Sequence, residues 1–167
     1  ASKPKPGIRF WAAFVKAVLI HLLHRVFPSS VRPVKQGEKR ARLQELAFTY
    51  LRLAEDYFFF EPTMVAFVQL RCLNLSERIG ESKELTQAIG GIGAVYAILG
   101  HYASSQKYGE RAVEMAERLD SRWNLGLISF YRGFALYLQA DWDGALRHLR
   151  RSRDLLKECG DMHELGL

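Results

Sequence analysis

Glycines near the middle of the chain have the composition of a phosphate-binding loop. The segment Gly90-Gly91-Ile92-Gly93 offers backbone amides that could cradle a phosphate group. It follows no strand pattern, and it lacks the Gly-Lys-Ser/Thr ending that holds the phosphates and magnesium ion of a nucleotide. Because the segment also falls within a helical period of apolar residues, we expect no nucleotide site there.

Histidines are common metal ligands, and His21 and His24 are separated by about one helical turn. No cysteine, aspartate or glutamate lies near them in the sequence to complete a ligand set. The other histidines, His101, His148 and His163, belong to separate parts of the chain. The sequence therefore predicts no metal site and no cofactor.

The cysteines and carboxylates do not form a catalytic pattern. Neither Cys72 nor Cys159 has a base and an orienting group beside it, as nucleophilic catalysis requires. Glu114, Glu117 and Asp120 have the spacing of a solvated helix face. We therefore expect a protein that is not an enzyme and that has no small-molecule substrate. Two thiols without a CxxC motif make no disulfide framework, which favours a cytoplasmic location.

Arginines cluster near the C-terminal end of the sequence. Arg147, Arg150 and Arg151 share one face of a predicted helix and could engage the phosphate or carboxylate groups of an anionic partner. Positive charge is also favourable near the C-terminal end of any helix, so these arginines could instead form a solvated helix face.

Positive charge is concentrated at the N-terminus. Residues 1–42 contain ten Lys/Arg residues and one acidic residue, a net charge of +9, whereas residues 43–167 have a net charge of −3. A basic arm indicates an anionic partner such as acidic lipid or an acidic protein face, or else a solvated tail. Specific nucleic-acid binding is not expected, because the arm has no aromatic residues interleaved outside an apolar helix face.

Apolar residues with helical spacing occur along the chain, which predicts an all-α protein. An amphipathic helix is predicted at residues 8–27, and Pro28-Ser29-Ser30 ends it. The other predicted helices are approximately 38–59, 62–79, 82–99, 102–119, 122–139 and 142–159. Gly80, Gly100 and Gly160 are expected to end helices, and Asp141 is a predicted N-cap.

The sequence repeats every forty residues. Leu85 aligns with Leu125 and Leu165, and Gly93 aligns with Gly133. This period predicts stacked helical units, with a basic arm at residues 1–36 and an array at residues 37–167. The units are approximately 37–80, 81–120 and 121–160, followed by the start of a fourth unit from residue 161. Because the fourth unit is incomplete, the sequence is expected to be part of a longer protein.

Small residues occupy recurring places in these units, as in Ile89-x-x-Ile92-Gly93-x-x-Tyr96 and Ser129-x-x-Arg132-Gly133-x-x-Leu136. The pattern resembles the tetratricopeptide repeat, and in particular a forty-residue variant found in large bacterial multidomain signalling proteins with ATPase, kinase-like or cyclase modules. The resemblance covers approximately residues 38–167. The chain departs from the family in its period, in the absence of the proline that usually ends a repeat, and in Leu53 and Val65, which replace small residues.

The resemblance implies a right-handed α-solenoid of antiparallel helix pairs that binds a protein or peptide, or another domain of the same chain, in a concave groove. In the family the first helix of each pair lines this groove, and transferring its groove-facing positions to this chain gives aromatic residues on both sides of a floor of small residues. These positions are Tyr50, Ala54, Tyr57, Gln87, Gly90, Ala94, Ala97, Phe130, Phe134 and Tyr137. The alternative is that the small residues only allow neighbouring helices to pack closely.

The N-terminal helix has three interpretations. It caps the end of the array, it continues an upstream helical domain, or it lies on an anionic membrane with Trp11 and Phe14 on one face and Lys16 and Arg25 elsewhere. Its charges and histidines argue against a membrane-spanning role. The sequence thus predicts a non-catalytic scaffold or regulatory segment for signal transduction, with a membrane-surface tether as the alternative.

Overall fold

The chain folds into helices joined by short connections. The computed structural model describes residues 7–58 and 60–160, and within them there are seven α-helices, one 3₁₀ turn at Pro28–Ser30, and no strand. The α-helices are α1 Ile8–Val26, α2 Glu38–Tyr57, α3 Pro62–Ile79, α4 Lys83–Ile98, α5 Tyr102–Arg118, α6 Arg122–Leu138 and α7 Trp142–Glu158. The predicted all-α class is confirmed. None of the helices in these ranges is long and apolar enough to cross a membrane.

The helix bounds agree with the predicted bounds to within two residues. Phe59, the predicted end of α2, and the predicted fourth unit from residue 161 lie outside the described residues. Side chains cap three helix starts, because the Ser82 hydroxyl accepts a hydrogen bond from Leu85 N, the Ser121 hydroxyl accepts one from Asn124 N, and Asp141 Oδ1 accepts one from Gly144 N at 2.9 Å. The prediction of Asp141 as an N-cap is confirmed.

A residue with left-handed backbone follows each helix from α3 to α7. These residues are spaced by twenty: Gly80, Gly100, Asp120, Ala140 and Gly160, with φ between 47° and 83°. After α4, the His101 amide donates to Tyr96 O at 2.8 Å, and after α6 the Asp141 amide donates to Leu136 O at 3.0 Å. These bonds satisfy carbonyls that the helix end leaves free. The backbone therefore repeats at half the forty-residue period of the sequence.

The chain divides into two compact units, Ala1–Arg78 and Ile79–Leu167. In the first unit, α2 and α3 pack through buried residues that include Ala47, Leu51, Cys72 and Leu73. The thiol of Cys72 lies 3.5 Å from Ala47 O. The linker after α1 is attached to the end of α3, because the Val34 amide donates to the carbonyl of Arg78 at 2.8 Å.

In the second unit, α4 contacts α5 and α6, α5 contacts α6, and α6 contacts α7. Two glycines forty residues apart make equivalent close approaches. A Cβ atom at Gly93 would lie 3.3 Å from Ser105 O, and one at Gly133 would lie 3.2 Å from Ala145 O. Both glycines therefore let the backbone of the following helix come close, because neither has a Cβ atom that would prevent the approach.

Candidate interaction surfaces

The small residues of α4 face the interior. Gly90, Ala94 and Ala97 are all buried. A Cβ atom at Gly90 would lie 3.1 Å from Tyr131 Cδ2 and 3.3 Å from Ile128 Cγ1, so α6 covers this position. The recess that remains beside Gly90 and Ala94 has a volume of about 10 Å³, close to the space that a single water molecule needs. In this conformation Gly90, Ala94 and Ala97 therefore expose almost no surface.

Gln87, another predicted groove residue, links α4 to α6. Its Nε2 donates a hydrogen bond to Asn124 Oδ1 at 3.1 Å, and Asn124 Nδ2 is 3.4 Å from Lys83 O. Asn124 is fully buried, at 0% exposure. These hydrogen bonds fix the register of α4 and α6, because a shift of one helix along the other would leave the buried Asn124 amide without a partner.

The aromatic residues of α6 are the accessible part of the predicted groove. Phe130 is 37% exposed and Tyr137 is 54% exposed, while Phe134 between them is half-buried. Trp142, at the start of α7, is 61% exposed and packs edge-on against Tyr137 with ring centroids 5.4 Å apart. The sequence prediction did not include Trp142, although this residue lies forty positions after Tyr102 and so takes the equivalent place in the repeat.

A second row of exposed apolar residues lies at the turn between α4 and α5. Ile98, Leu99 and Tyr102 are all exposed. Tyr102 also joins this turn to the end of α6, because its hydroxyl donates a hydrogen bond to Leu138 O at 3.1 Å. The ends of α4 and α6 therefore present apolar side chains close to one another.

The predicted groove residues of α2 belong to the first unit. Tyr50 is half-buried, and Arg71 holds it in two ways: Arg71 Nε lies 3.4 Å from the Tyr50 hydroxyl, and the guanidinium lies 5.7 Å from the ring centroid. Ala54 is buried and Tyr57 is half-buried. A single groove formed by α2, α4 and α6 stays a prediction.

The predicted arginine patch contains two further residues. Arg147, Arg150 and Arg151 are exposed on α7. Burial lowers the pKa of His148 below its ordinary value, and the positive charges of Arg132, Arg151 and Arg147 lower it further, against a smaller opposing effect of Asp141. Within the described residues, His148 Nδ1 is buried without a hydrogen-bond partner. Arg132 of α6 thus adds to the positive charge of the α7 arginines around His148, a grouping that only the packing of α6 on α7 produces.

Helix α1 has two apolar faces, whereas the sequence predicted one. Phe10 and Phe14 pack against Phe67 of α3, with ring centroids 5.1 and 5.9 Å away. Ala17 and His21 on the same side are buried. The larger part of the apolar residues of α1 lies on the opposite side and is exposed.

The glycine segment and the cysteines that could have supported chemistry lie on or beside helices. The segment from Gly90 to Gly93 lies inside α4, as its helical period predicted. Cys72 is buried and Cys159 is exposed, and both are free thiols. Within residues 7–58 and 60–160, no group of three His, Cys, Asp or Glu side chains is arranged to hold a metal ion.

Comparison of the chain with protein-family models, with curated proteins and with solved structures gives no match. The resemblance to tetratricopeptide repeats therefore depends on the spacing and the residues described above, and it stays a prediction.

Proposed function

We propose that the chain is a non-catalytic protein-interaction segment made of tetratricopeptide-like repeats, and that a partner binds against helix α6. The partner is a protein or peptide, or another domain of the same chain, that presents an apolar helix. The observation that carries this proposal is the exposed aromatic surface formed by Phe130, Tyr137 and Trp142.

The repeat indicates what kind of partner fits this surface. Gly90 and Ala97 stand forty residues before Phe130 and Tyr137 and are both buried, and at Gly90 the covering side chains, Ile128 and Tyr131, belong to α6. A helix that packed on α6 as α6 packs on α4 would cover the two aromatic residues. Because α6 carries large side chains where α4 carries small ones, the complementary helix should place small residues opposite them.

The solenoid interpretation is supported by local features of the second unit. Only three residues, from Leu99 to His101, join α4 to α5, and the two helices contact each other, which is the arrangement of an antiparallel pair. The equivalent approaches at Gly93 and Gly133 and the twenty-residue spacing of left-handed residues support a right-handed α-solenoid of such pairs.

The forty-residue period also supports a scaffold or regulatory role in a larger cytoplasmic signalling protein. This part of the proposal depends on the resemblance of the repeats alone, since a fold does not specify a function. Binding to the α6 surface is the part that the exposed side chains make testable.

The expected contribution of the aromatic residues is large. Aromatic residues at the centre of an interface commonly contribute about 2 kcal/mol or more each, which corresponds to about a thirtyfold change in Kd. Replacing Phe130 and Tyr137 with alanine should therefore abolish capture of a partner that binds with micromolar affinity. Both side chains are exposed, so the substitutions should change the free energy of unfolding by less than about 1 kcal/mol.

The test is affinity capture from the native cell lysate with the unsubstituted chain and the double variant Phe130→Ala/Tyr137→Ala. A control variant, Leu46→Ala/Phe48→Ala, removes two exposed apolar side chains from α2 instead. Mass spectrometry identifies the captured proteins, and binding of each purified candidate is then measured by calorimetry. Partners that are lost only with the α6 variant support the proposal. Equal capture by all three proteins contradicts it.

A further inference from the structure

One face of α1 carries six large apolar side chains that are exposed to solvent. They lie between 47% and 87% exposed and follow one another at intervals of three or four residues: Ile8, Trp11, Val15, Leu19, Leu22 and Val26. We call these six residues the outer stripe. It extends along the whole helix, over about 27 Å at 1.5 Å per residue. Single exposed apolar residues are normal on a folded protein, whereas a continuous row of this length indicates a binding surface.

The opposite face of α1 packs against α3, and this packing holds the outer stripe on the side of α1 that faces away from α3. Asn74 Nδ2 donates a hydrogen bond to the carbonyl of Ala17 at 2.9 Å. His24 Nδ1 contacts Glu77 Oε2, and both side chains are largely buried. Together with the ring contacts to Phe67, these interactions would have to break before the helix could rotate and bury its outer stripe.

Positive charge borders the outer stripe. By the 3.6-residue helical period, Arg9 and Lys16 lie along one edge and Arg25 lies along the other, and all three are exposed. The sequence contains no aspartate or glutamate from Gly7 to Gly37. The surface thus combines an apolar row with cationic margins, and the segment that carries it contributes no carboxylate of its own.

We propose that the outer stripe of α1 docks on an anionic membrane surface, with the helix axis parallel to the bilayer plane. Apolar side chains of an interfacial helix enter the boundary between headgroups and acyl chains, while lysine and arginine at the margins reach anionic headgroups. Trp11 has the amphipathic ring that favours this boundary. A second copy of the chain fits less well, because it would bring two carboxylate-free basic segments together. This inference is independent of partner binding at α6, since it concerns a different helix and a different surface.

The primary test is co-sedimentation of the chain with vesicles of phosphatidylcholine alone, and with vesicles that contain about 30% phosphatidylserine, a level that gives a negative surface potential. The chain should bind the anionic vesicles and not the neutral ones. Binding should fall as salt is raised, because salt screens exposed charges. Equal binding to both kinds of vesicle, or binding to neither, overturns the proposal.

Substitutions in the outer stripe test the apolar contribution. Leu19→Ser/Leu22→Ser should weaken binding to anionic vesicles at least about tenfold, since two apolar side chains no longer leave water. The matched control Leu46→Ser/Phe48→Ser replaces two exposed apolar residues of α2 and should leave binding unchanged. Equal loss in both variants, or no loss in the α1 variant, overturns the assignment to this face.

Substitutions at the margin test the charge contribution. Arg9→Gln/Lys16→Gln keeps the apolar residues and should reduce binding to anionic vesicles about fivefold for each residue, the usual effect of one basic side chain at an anionic surface. The remaining binding should depend less on salt. If the variant binds as well as the unsubstituted chain, electrostatic recognition by these margins is wrong.

Two measurements show whether the outer stripe binds a membrane or a second copy of the chain, and whether Trp11 enters the lipid bilayer. Light scattering in solution should give the mass of a monomer. If the chain is instead a dimer, and the Leu19→Ser/Leu22→Ser variant is a monomer, the outer stripe binds a second copy and the proposal is overturned. Quenching of tryptophan fluorescence by brominated lipids should be largely lost in Trp11→Phe, since Trp123 and Trp142 lie on other helices. Undiminished quenching in that variant contradicts docking through α1.

Discussion

The turn residues at positions 100 and 140 have the same backbone conformation but different side chains, and this difference predicts opposite effects of exchanging them. Gly100 has a φ of 76° and Ala140 has a φ of 59°. Both are exposed, and a Cβ atom at Gly100 would meet no other atom within 4 Å. Substitution there should therefore change backbone strain without introducing a clash.

The magnitude follows from two opposing contributions. A left-handed conformation costs an L-residue with a side chain about 1–2 kcal/mol, and glycine does not incur this cost. Alanine also lowers the conformational entropy of the unfolded chain, which stabilises the folded state by about 0.4–1 kcal/mol. We expect Gly100→Ala to lower the free energy of unfolding of the second unit by about 1 kcal/mol, and Ala140→Gly to raise it by a similar amount, which corresponds to about 4–8 °C in Tm for a unit of this size. Because the two sites are in separate turns, the double variant should unfold like the unsubstituted chain.

The assay must report on the second compact unit, because the two units need not unfold together. In a Trp11→Phe background the remaining tryptophans, Trp123 and Trp142, both lie in that unit, so urea unfolding followed by fluorescence measures its stability. Ala103→Gly is the control, since this exposed residue of α5 has ordinary helical backbone and gains nothing from glycine. The reasoning fails if Gly100→Ala has no effect, or if Ala140→Gly destabilises the unit.

Two further predictions concern the same unit. Gly133→Ala should lower the free energy of unfolding more than Gly93→Ala. The new Cβ atom would lie 2.8 Å from Leu149 Cγ at position 133, whereas the closest atom to a Cβ at position 93 would be 3.3 Å away. Urea unfolding of both variants measures the two changes, and a larger loss in Gly93→Ala would contradict the prediction. Because the pKa of His148 in the folded unit lies below its ordinary value of 6.5, the unfolded chain takes up a proton first as the pH falls. The unit should therefore lose stability as the pH falls below about 7. His148→Gln should reduce that loss in a pH series, and an unchanged slope would show that other groups cause it.

Local sequence determined the helices. The spacing of apolar residues placed all seven to within two residues, because i, i+3 and i+4 positions share one face of a helix wherever it packs. Glycines 80, 100 and 160 marked helix ends because glycine adopts the positive φ of a helix-ending turn without strain, which is a property of that residue alone. Asp120 and Ala140 take the same left-handed conformation without a glycine, and only the forty-residue alignment points to them.

The predicted groove depended on which neighbour covers each face, and the sequence did not contain that information. Gly90 and Phe130 occupy equivalent slots in the repeat, yet Gly90 is buried under Tyr131 and Phe130 is exposed. The exposed Trp142 beside Tyr137 was missed for the same reason, since its accessibility depends on the packing of α6 and α7 and not on its own helix.

Helix α1 shows most clearly which properties local sequence determined and which depended on tertiary packing. Its sequence determined a helix with large apolar residues and many positive charges, because periodicity and charge are properties of the segment itself. The sequence predicted Trp11 and Phe14 on one face of the helix, and residue type alone did not indicate which of the two would be buried. The tertiary structure decided between them: Phe67, Asn74 and Glu77 of α3 hold the face with Phe14 and His24, and the outer stripe is left exposed. A helix specifies its own faces, but only the surface of a neighbouring helix selects which face becomes core and which is left to bind something else.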